Sequence, residues 1–394
     1  MVNVYAYVTG GADVHCLELC HGLRERQHDV AMLATESERN EEHRGDFVPV
    51  SVTNTTRDSV RLAERPRIAL DALWNAKAAR ATSRLLRDFD PEIVHVHKAY
   101  PQLSVAPVLL AHRQAVPIVQ TLHDYQFISA NPLDDQGDWL DRRETRLSYR
   151  LLNTATLPIR RLMHVPRVSR FIAVSRFVAR MHASRGIRAT VLPNFAPAGA
   201  EHGERQPPPF DARQGIVYFG RLRPEKGVEH VLEAARRLPE IPVFVAGWGP
   251  LAERAEAEAS RLPNLQFLGR LSPEETRALI RTARLAILPS LWSEPGALAS
   301  LEAMAEGTPV VVYDVGGVAE YVADSGAGTV VPPQVDALTK ACVALHEDEE
   351  AWRECSLRAA QAIDSTHSRE TYLVHLERIY EDALETRSSH RGNR

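Results

Sequence analysis

The sequence predicts an α/β protein made of two parallel-sheet domains. Three observations carry that expectation. Short runs of β-branched and apolar residues recur with helical stretches between them, the pattern of strand-helix-strand units. The runs fall into two sets, separated by a stretch rich in Pro, Gly and charge. A chain of 394 residues with 44% hydrophobic content can also fill more than one core.

The first set comprises VNVYAYV (2–8), HDVAMLA (28–34), FVPVSV (47–52), EIVHVH (92–97), PIVQTL (117–122), RFIAVS (170–175) and ATVLP (189–193). The second comprises GIVYFG (215–220), PVFVAG (242–247), LQFLG (265–269), LAILPS (285–290), PVVVYD (309–314) and GTVVPP (328–333). The expected division is a first domain over 1–195, a linker over 196–214, a second domain over 215–368, an amphipathic helix over 369–387 and a frayed tail over 388–394. Ligands of such sheets bind beyond the carboxyl ends of the strands, so motifs at strand ends carry the most weight.

Charge and composition exclude several classes. With 47 basic and 51 acidic side chains, a net −4, no global basic field exists to attract nucleic acid. The N-terminus reads as a buried strand and not a signal peptide, and no apolar run reaches the length of a membrane span. Four cysteines are too few for a disulfide framework, which fits the cytoplasm. Cys16 and Cys20, with His15 nearby, are expected as buried thiols packing a helix in preference to metal ligands.

Four strand-end phrases carry candidate chemistry. In SLWSEPGALASLEAMAEG, a helix starting near Pro295 or Gly296 offers free N–H groups to hydroxyls or anionic oxygens. Glu302 then lies about two turns into it, at most roughly 12 Å of rise beyond Glu294. That excludes a proton-sharing pair but suits two ends of one extended ligand; a capping glutamate plus a surface glutamate is the plainer alternative. VYFGRLRPEKG puts Gly220, Arg221, Lys226 and Gly227 in a strand-to-helix turn. Two cations there suit a diphosphate leaving group, or else form a solvated basic loop. VTGGADVHC places Gly10 and Gly11 at the opening of a helix without the G-x-G-x-x-G dinucleotide fingerprint. TLHDYQF sets His123 and Asp124 at a strand end, where the histidine can meet a substrate hydroxyl and the aspartate can orient it. His95 and His97 alternate on one strand face, a conceivable metal pair with no third ligand in view, so no metal is assigned.

Taken in order, GG at 10–11, TLHD at 121–124, GRLRPEKG at 220–227, VAGWGP at 245–250, FLGRL at 267–271 and E-x7-E at 294–302 form a recognisable series. The sequence resembles the large family of retaining glycosyltransferases with the GT-B fold, the family-4-like "glycosyl transferases group 1", over nearly the whole chain. The resemblance implies two Rossmann-like domains facing each other across a cleft, with the C-terminal helix crossing back to the first. It implies that Arg221 and Lys226 hold a donor diphosphate, that Glu302 binds the ribose, and that Glu294 with Gly296, Ala297 and Leu298 holds the transferred sugar. Gly10, Gly11, Gly220 and Gly247 would approach the donor, Arg270 and Leu271 would form the base-binding turn, and His123 would lie at the sugar's reacting side. The catalytic set is thus His123, Arg221, Lys226 and Glu294, with no cofactor beyond a nucleoside-diphosphate sugar, UDP being the expected base, and no bound metal.

The chain departs from the family pattern in reading Gly296-Ala297 where an aromatic residue and glycine are common, and Asn194-Phe195-Ala196-Pro197 where N-G-x-D is common. The first leaves the transferred sugar open. The second weakens a role for that turn.

One stretch stands apart. Between Arg142 and Arg188 lie twelve arginines, no lysine and one acid, Glu144. It reads as a membrane-surface patch, as a basic cleft wall for an anionic acceptor, or as arginines paired with the acidic second domain or solvated. The first favours a lipid-linked acceptor and a location at the inner face of the cytoplasmic membrane. A soluble natural product is the alternative acceptor, and a non-catalytic sugar-nucleotide binder the alternative class. The sequence assigns no oligomeric state.

Overall fold

The computed structural model describes residues 1–40, 47–48, 70–129, 147–197 and 209–391. These divide into two compact units. The first takes the described residues before 130, those from 147 to Leu192 and those from Tyr372 onward; the second takes Pro193–Thr371.

In the first unit, strands β1 (Ala34–Thr35) and β2 (Phe47–Val48) pair in parallel. Strands β3 (Val94–Val96), β4 (Ile118–Leu122), β5 (Arg170–Ala173) and β6 (Thr190–Val191) form a parallel sheet in that order. All five residues of β4 are buried, as a strand covered on both faces requires. Val96, Leu103, Val108 and Ile118 pack with Leu86 of the helix Ala76–Phe89. The expected opening strand over 2–8 is reduced to bridges: Val2 lies between Leu33 and Val96, and Thr35 donates to the Val4 carbonyl at 2.9 Å. Asn3 and Thr9 bond to Asp13 of the helix Gly11–Glu25, which draws the segment beyond Val4 into a turn instead of a ladder. Residues 49–52 of FVPVSV lie outside the described residues.

The second unit is a parallel six-stranded sheet in the order β12-β11-β10-β7-β8-β9. Its strands are β7 (Ile216–Arg221), β8 (Val243–Trp248), β9 (Leu265–Gly269), β10 (Leu285–Leu288), β11 (Val310–Tyr313) and β12 (Gly328–Val331). Each falls on an expected run. Ile216, Val243, Ile287 and Val311 share a core with Val231 and Leu338 from the covering helices. A capping box between Ser272 and Glu275 starts the helix Pro273–Thr282.

Two edges differ from expectation. Arg213, inside the expected linker, is fully buried and donates to Thr308 Oγ1, the Ala283 carbonyl and the Glu306 carbonyl, so the second unit begins earlier than the first apolar run. The final helix runs Arg369–Arg391, past the point at which a frayed tail was expected. From Tyr372 it belongs to the first unit. Tyr372, Leu373 and Leu376 are buried, and Glu377 holds Arg26 through two hydrogen bonds of 2.8 and 2.7 Å. None of the described helices is long and apolar enough to cross a membrane.

Candidate functional site

In the second unit, the carboxyl ends of β7, β8 and β9 lie side by side and carry Arg221, Trp248 and, one residue on, Arg270. Gly220 and Gly247 are register partners. A Cβ at Gly247 would stand 1.9 Å from the Gly220 carbonyl oxygen, so only glycine permits this approach. Trp248 is 49% exposed, and the guanidinium carbons of Arg221 and Arg270 each lie 5.6 Å from its ring centroid. An indole between two cations is the cation–π arrangement, and it leaves an aromatic face at the strand ends.

Lys226 closes the 3-10 turn Pro224–Lys226, which ends on Gly227 at φ 71°. A Cβ there would meet the Pro289 oxygen at 1.9 Å. The turn is stitched to the loop after β10, because the Glu225 carbonyl accepts from the N–H of Leu291 and of Trp292 and from Ser290 Oγ. The stitching brings Lys226 Nζ to 2.8 Å from Glu294 Oε2 and 5.5 Å from the Trp292 ring centroid. The two residues therefore form one ion pair, although their motifs lie in separate strand-to-helix connections.

The start of the helix Gly316–Ser325, which follows β11, also holds Glu294. Gly317 donates its N–H to the Glu294 carbonyl at 2.6 Å, and Gly316, at φ 72°, packs so closely that a Cβ would lie 2.5 Å from the Glu294 nitrogen. The helix of this motif starts at Leu298, with Ala297 as N-cap, and not near Pro295 or Gly296. The Gly296 carbonyl is already engaged by Asn194 Nδ2 at 3.2 Å, which keeps residue 296 outside the helix. Glu302 accordingly sits little more than one turn in, not two. Burial raises its carboxyl to about 7, opposed by Arg277. A Cβ at Gly296 would crowd Tyr321 Oη at 2.5 Å, and the Asn194 N–H donates to that same hydroxyl. The Asn194 turn, expected to matter little, thus positions the Gly296 peptide.

In the first unit, Gly10 is the N-cap of the helix Gly11–Glu25. The turn before it is pinned by Asp13, which accepts from Thr9 N–H and Thr9 Oγ1. His123 lies just past β4. Its ring partner is not Asp124, whose carboxylate accepts from the Gln126 N–H. A hydrogen bond of 2.9 Å joins Nε2 of His123 to Nδ1 of His97. His15 completes the group: ring nitrogens of His15, His97 and His123 all lie within 4.8 Å of one another. Burial holds these imidazoles below their ordinary value, His15 to about 3. His95, expected as the companion of His97, has both nitrogens committed, Nδ1 to Tyr380 Oη and Nε2 to Thr121 Oγ1. Cys16 and Cys20 are buried thiols.

Comparisons with known proteins bear on the family and the fold. Residues 9–198 match the model described as Glycosyltransferase Family 4, and residues 203–362 match Glycosyl transferases group 1. The chain belongs to this glycosyltransferase family. It is 26% identical to phosphatidyl-myo-inositol mannosyltransferase of Mycolicibacterium smegmatis, over 97% of this chain and 92% of the relative. It is 28% identical to alpha-D-kanosaminyltransferase of Streptomyces kanamyceticus, over 66% and 68%. HepE of Anabaena, solved with UDP and glucose, matches with a TM-score of 0.68 at 16% identity, over 96% of this chain and 98% of that one, which shows the GT-B fold.

In this glycosyltransferase the arginine-rich stretch runs from buried Arg160 through half-buried Arg161, Arg167 and Arg170 to exposed Arg176, Arg180, Arg185 and Arg188. Arg142, Arg143 and Arg146 lie outside the described residues. Arg160 is buried, its guanidinium 3.8 Å from the Tyr100 ring centroid. Arg161 donates to the carbonyls of Phe127 and Arg185, Arg167 to those of Leu162 and Met163, and Arg170 to Asp382 of the final helix. Backbone carbonyls and Asp382 of the same unit take these bonds. Trp248, Trp292, Gly316 and Tyr321 were missed in the sequence. Trp248 stood inside the quoted VAGWGP and had a readable signal, an aromatic at a strand end; the other three are defined by contacts between distant segments.

Proposed function

We infer that the protein transfers a hexose-type sugar from a nucleoside-diphosphate sugar to an acceptor hydroxyl with retention of configuration. The observation that carries this reading is the Lys226–Glu294 ion pair of 2.8 Å at the carboxyl ends of the strands, beside Arg221 and the Gly220–Gly247 approach. An ammonium held there can leave the carboxylate for a diphosphate oxygen when donor arrives, freeing Glu294 to accept from sugar hydroxyls. Arg221 and Lys226 then stabilise the charge that grows on the leaving diphosphate, and no metal is needed for that task. Departure of the diphosphate on the face by which the acceptor hydroxyl enters lets a diphosphate oxygen take the acceptor's proton, and the configuration is kept.

Glu302 is assigned to the ribose, Arg270 and Leu271 to the base, and Gly296, Ala297 and Leu298 to the sugar. Gly10, Gly11 and His123 are assigned to the donor by the family resemblance alone. UDP is the proposed base; HepE was solved with it.

For the acceptor, a lipid-linked glycan precursor is favoured over a soluble natural product. The helix Leu147–His164 leaves Ile159 43% and Leu162 73% exposed, with exposed Pro158 on the same side, next to the arginine cluster. An apolar strip flanked by cations is the chemistry of an anionic membrane surface. A relative matching nearly the full length is named for a phosphatidyl-inositol acceptor.

The test is a thermal-shift panel of UDP-, GDP-, ADP- and dTDP-sugars, followed by donor hydrolysis and by NMR of the product anomer. Stabilisation by one base class and a retained anomer are expected. No stabilisation by any of them overturns the reading, and an inverted product overturns the mechanism. Sedimentation with anionic vesicles should be salt-sensitive and reduced in Leu162→Glu; equal sedimentation with neutral vesicles rules out the membrane contact.

A further inference from the structure

We propose that His15, His97 and His123 form a binding site for a borderline divalent transition metal of the Zn²⁺ type. The three come from separate elements: His15 from the helix Gly11–Glu25, His97 from the end of β3 and His123 from the end of β4. Chain topology alone does not require their rings to meet, yet each offers a nitrogen within 4.8 Å of the other two. His15 and His97 are 1% and 0% exposed, and His123 is partly exposed, which gives the group one accessible corner.

The hydrogen bonding leaves the right lone pairs. His15 Nε2 is joined to the buried Tyr372 hydroxyl at 3.1 Å. When Nε2 donates to that oxygen, Nδ1 carries the lone pair, the outer-partner arrangement that orients metal-bound histidines. His97 Nδ1 and His123 Nε2 now share one proton across 2.9 Å. Two donors on a tetrahedral ion at 2.0–2.1 Å stand roughly 3.3 Å apart, so the rings need to part by only a few tenths of an ångström. The displaced proton has a destination. His97 Nε2 is buried and has no hydrogen-bond partner among the described residues, and it can carry the proton once Nδ1 becomes a ligand.

Donor chemistry fixes the class of ion. Three neutral imidazoles with no carboxylate among them suit Zn²⁺, Co²⁺, Ni²⁺ or Cu²⁺ and not Mg²⁺ or Ca²⁺. His95 is excluded as a fourth ligand by its bonds to Tyr380 and Thr121, so a fourth position stays open to water. On the transferase reading given above, an ion here occupies the His123 lone pair and inhibits transfer.

The experiment is metal binding, which does not depend on transferase activity. Untagged full-length protein is stripped with chelator and titrated with Co²⁺ and then Zn²⁺. One equivalent is expected, with the visible absorption of four-coordinate cobalt, and X-ray absorption of the zinc form should show three nitrogen donors at about 2.0 Å. His15→Gln and His97→Gln should each weaken binding about 100-fold or more, and His112→Gln, on an exposed helix face, should not. Circular dichroism checks folding; if His97→Gln does not fold, His15→Gln and the wild-type X-ray absorption decide. Binding that survives both substitutions, an oxygen-only first shell, or an affinity weaker than about 1 mM overturns the site. Inhibition of donor turnover by Zn²⁺, reversed by chelator, reads the consequence separately, so failure of the transferase reading leaves the binding result standing.

Discussion

Glu302 is the residue whose environment makes the sharpest demand. Its carboxyl keeps a proton to about 7 because burial penalises the anion. An unfolded chain loses that proton near the ordinary glutamate value. The raised folded value therefore favours the fold below that value, and the contribution is lost as pH rises from there through about 7. A ribose that donates hydroxyls to the anion has the opposite preference. Affinity for a nucleoside diphosphate should fall by up to about tenfold per unit as pH drops below 7, and the dependence should flatten in Glu302→Gln; calorimetry across that range reads both. Lys226 makes a different demand. In the proposed mechanism it exchanges Glu294 for a developing negative charge, so Lys226→Ala should cut turnover by about 10²–10³ while the donor KM moves much less, by steady-state kinetics. Intact turnover in that variant removes the assignment.

At the scale of elements, the candidate site depends on glycines that let loops touch. Gly316 lets the start of the helix after β11 lie against the backbone of Glu294, and Gly247 lets β8 end against β7. Gly316→Ala forces a Cβ to within 2.5 Å of the Glu294 nitrogen at a left-handed φ. It should cost about 1–3 kcal/mol of stability and displace Glu294, seen as a lower Tm with weakened donor-sugar binding. Nucleoside diphosphate without sugar should bind nearly as before, since Glu302 stands on its own helix. Gly220→Ala is a useful contrast: its added Cβ has open space and only the φ of 133° opposes it, so a milder loss is expected in the same melting assay than for Gly247→Ala.

For the whole molecule, the final helix completes the first unit. Tyr372 and Tyr380 reach His15 and His95, and Glu377 and Asp382 pair with Arg26 and Arg170. Ending the chain at residue 368 strips those partners and exposes buried Tyr372, Leu373 and Leu376. The truncated protein should lose cooperative melting of the first unit. Tyr380→Phe, which keeps the packing but leaves His95 Nδ1 unpaired, should cost about 1–3 kcal/mol by denaturant titration. A truncation as stable as the full chain contradicts this account.

The sequence by itself determined the α/β class, all six strands of the second unit and the family. Strands buried on both faces must be written as continuous apolar runs, and the turn after β7 is written with glycine and cations, so both survive in local composition. The opening strand failed because its run is apolar enough to pair but Asp13 captures the turn that follows. The tertiary structure decided the rest. Lys226 with Glu294, Asn194 with Gly296 and His15 with His97 and His123 are meetings of segments far apart in the chain. Parallel strands bring them together, since each strand end is returned to the same edge by a crossover helix, and no local pattern of residues records which ends will be neighbours.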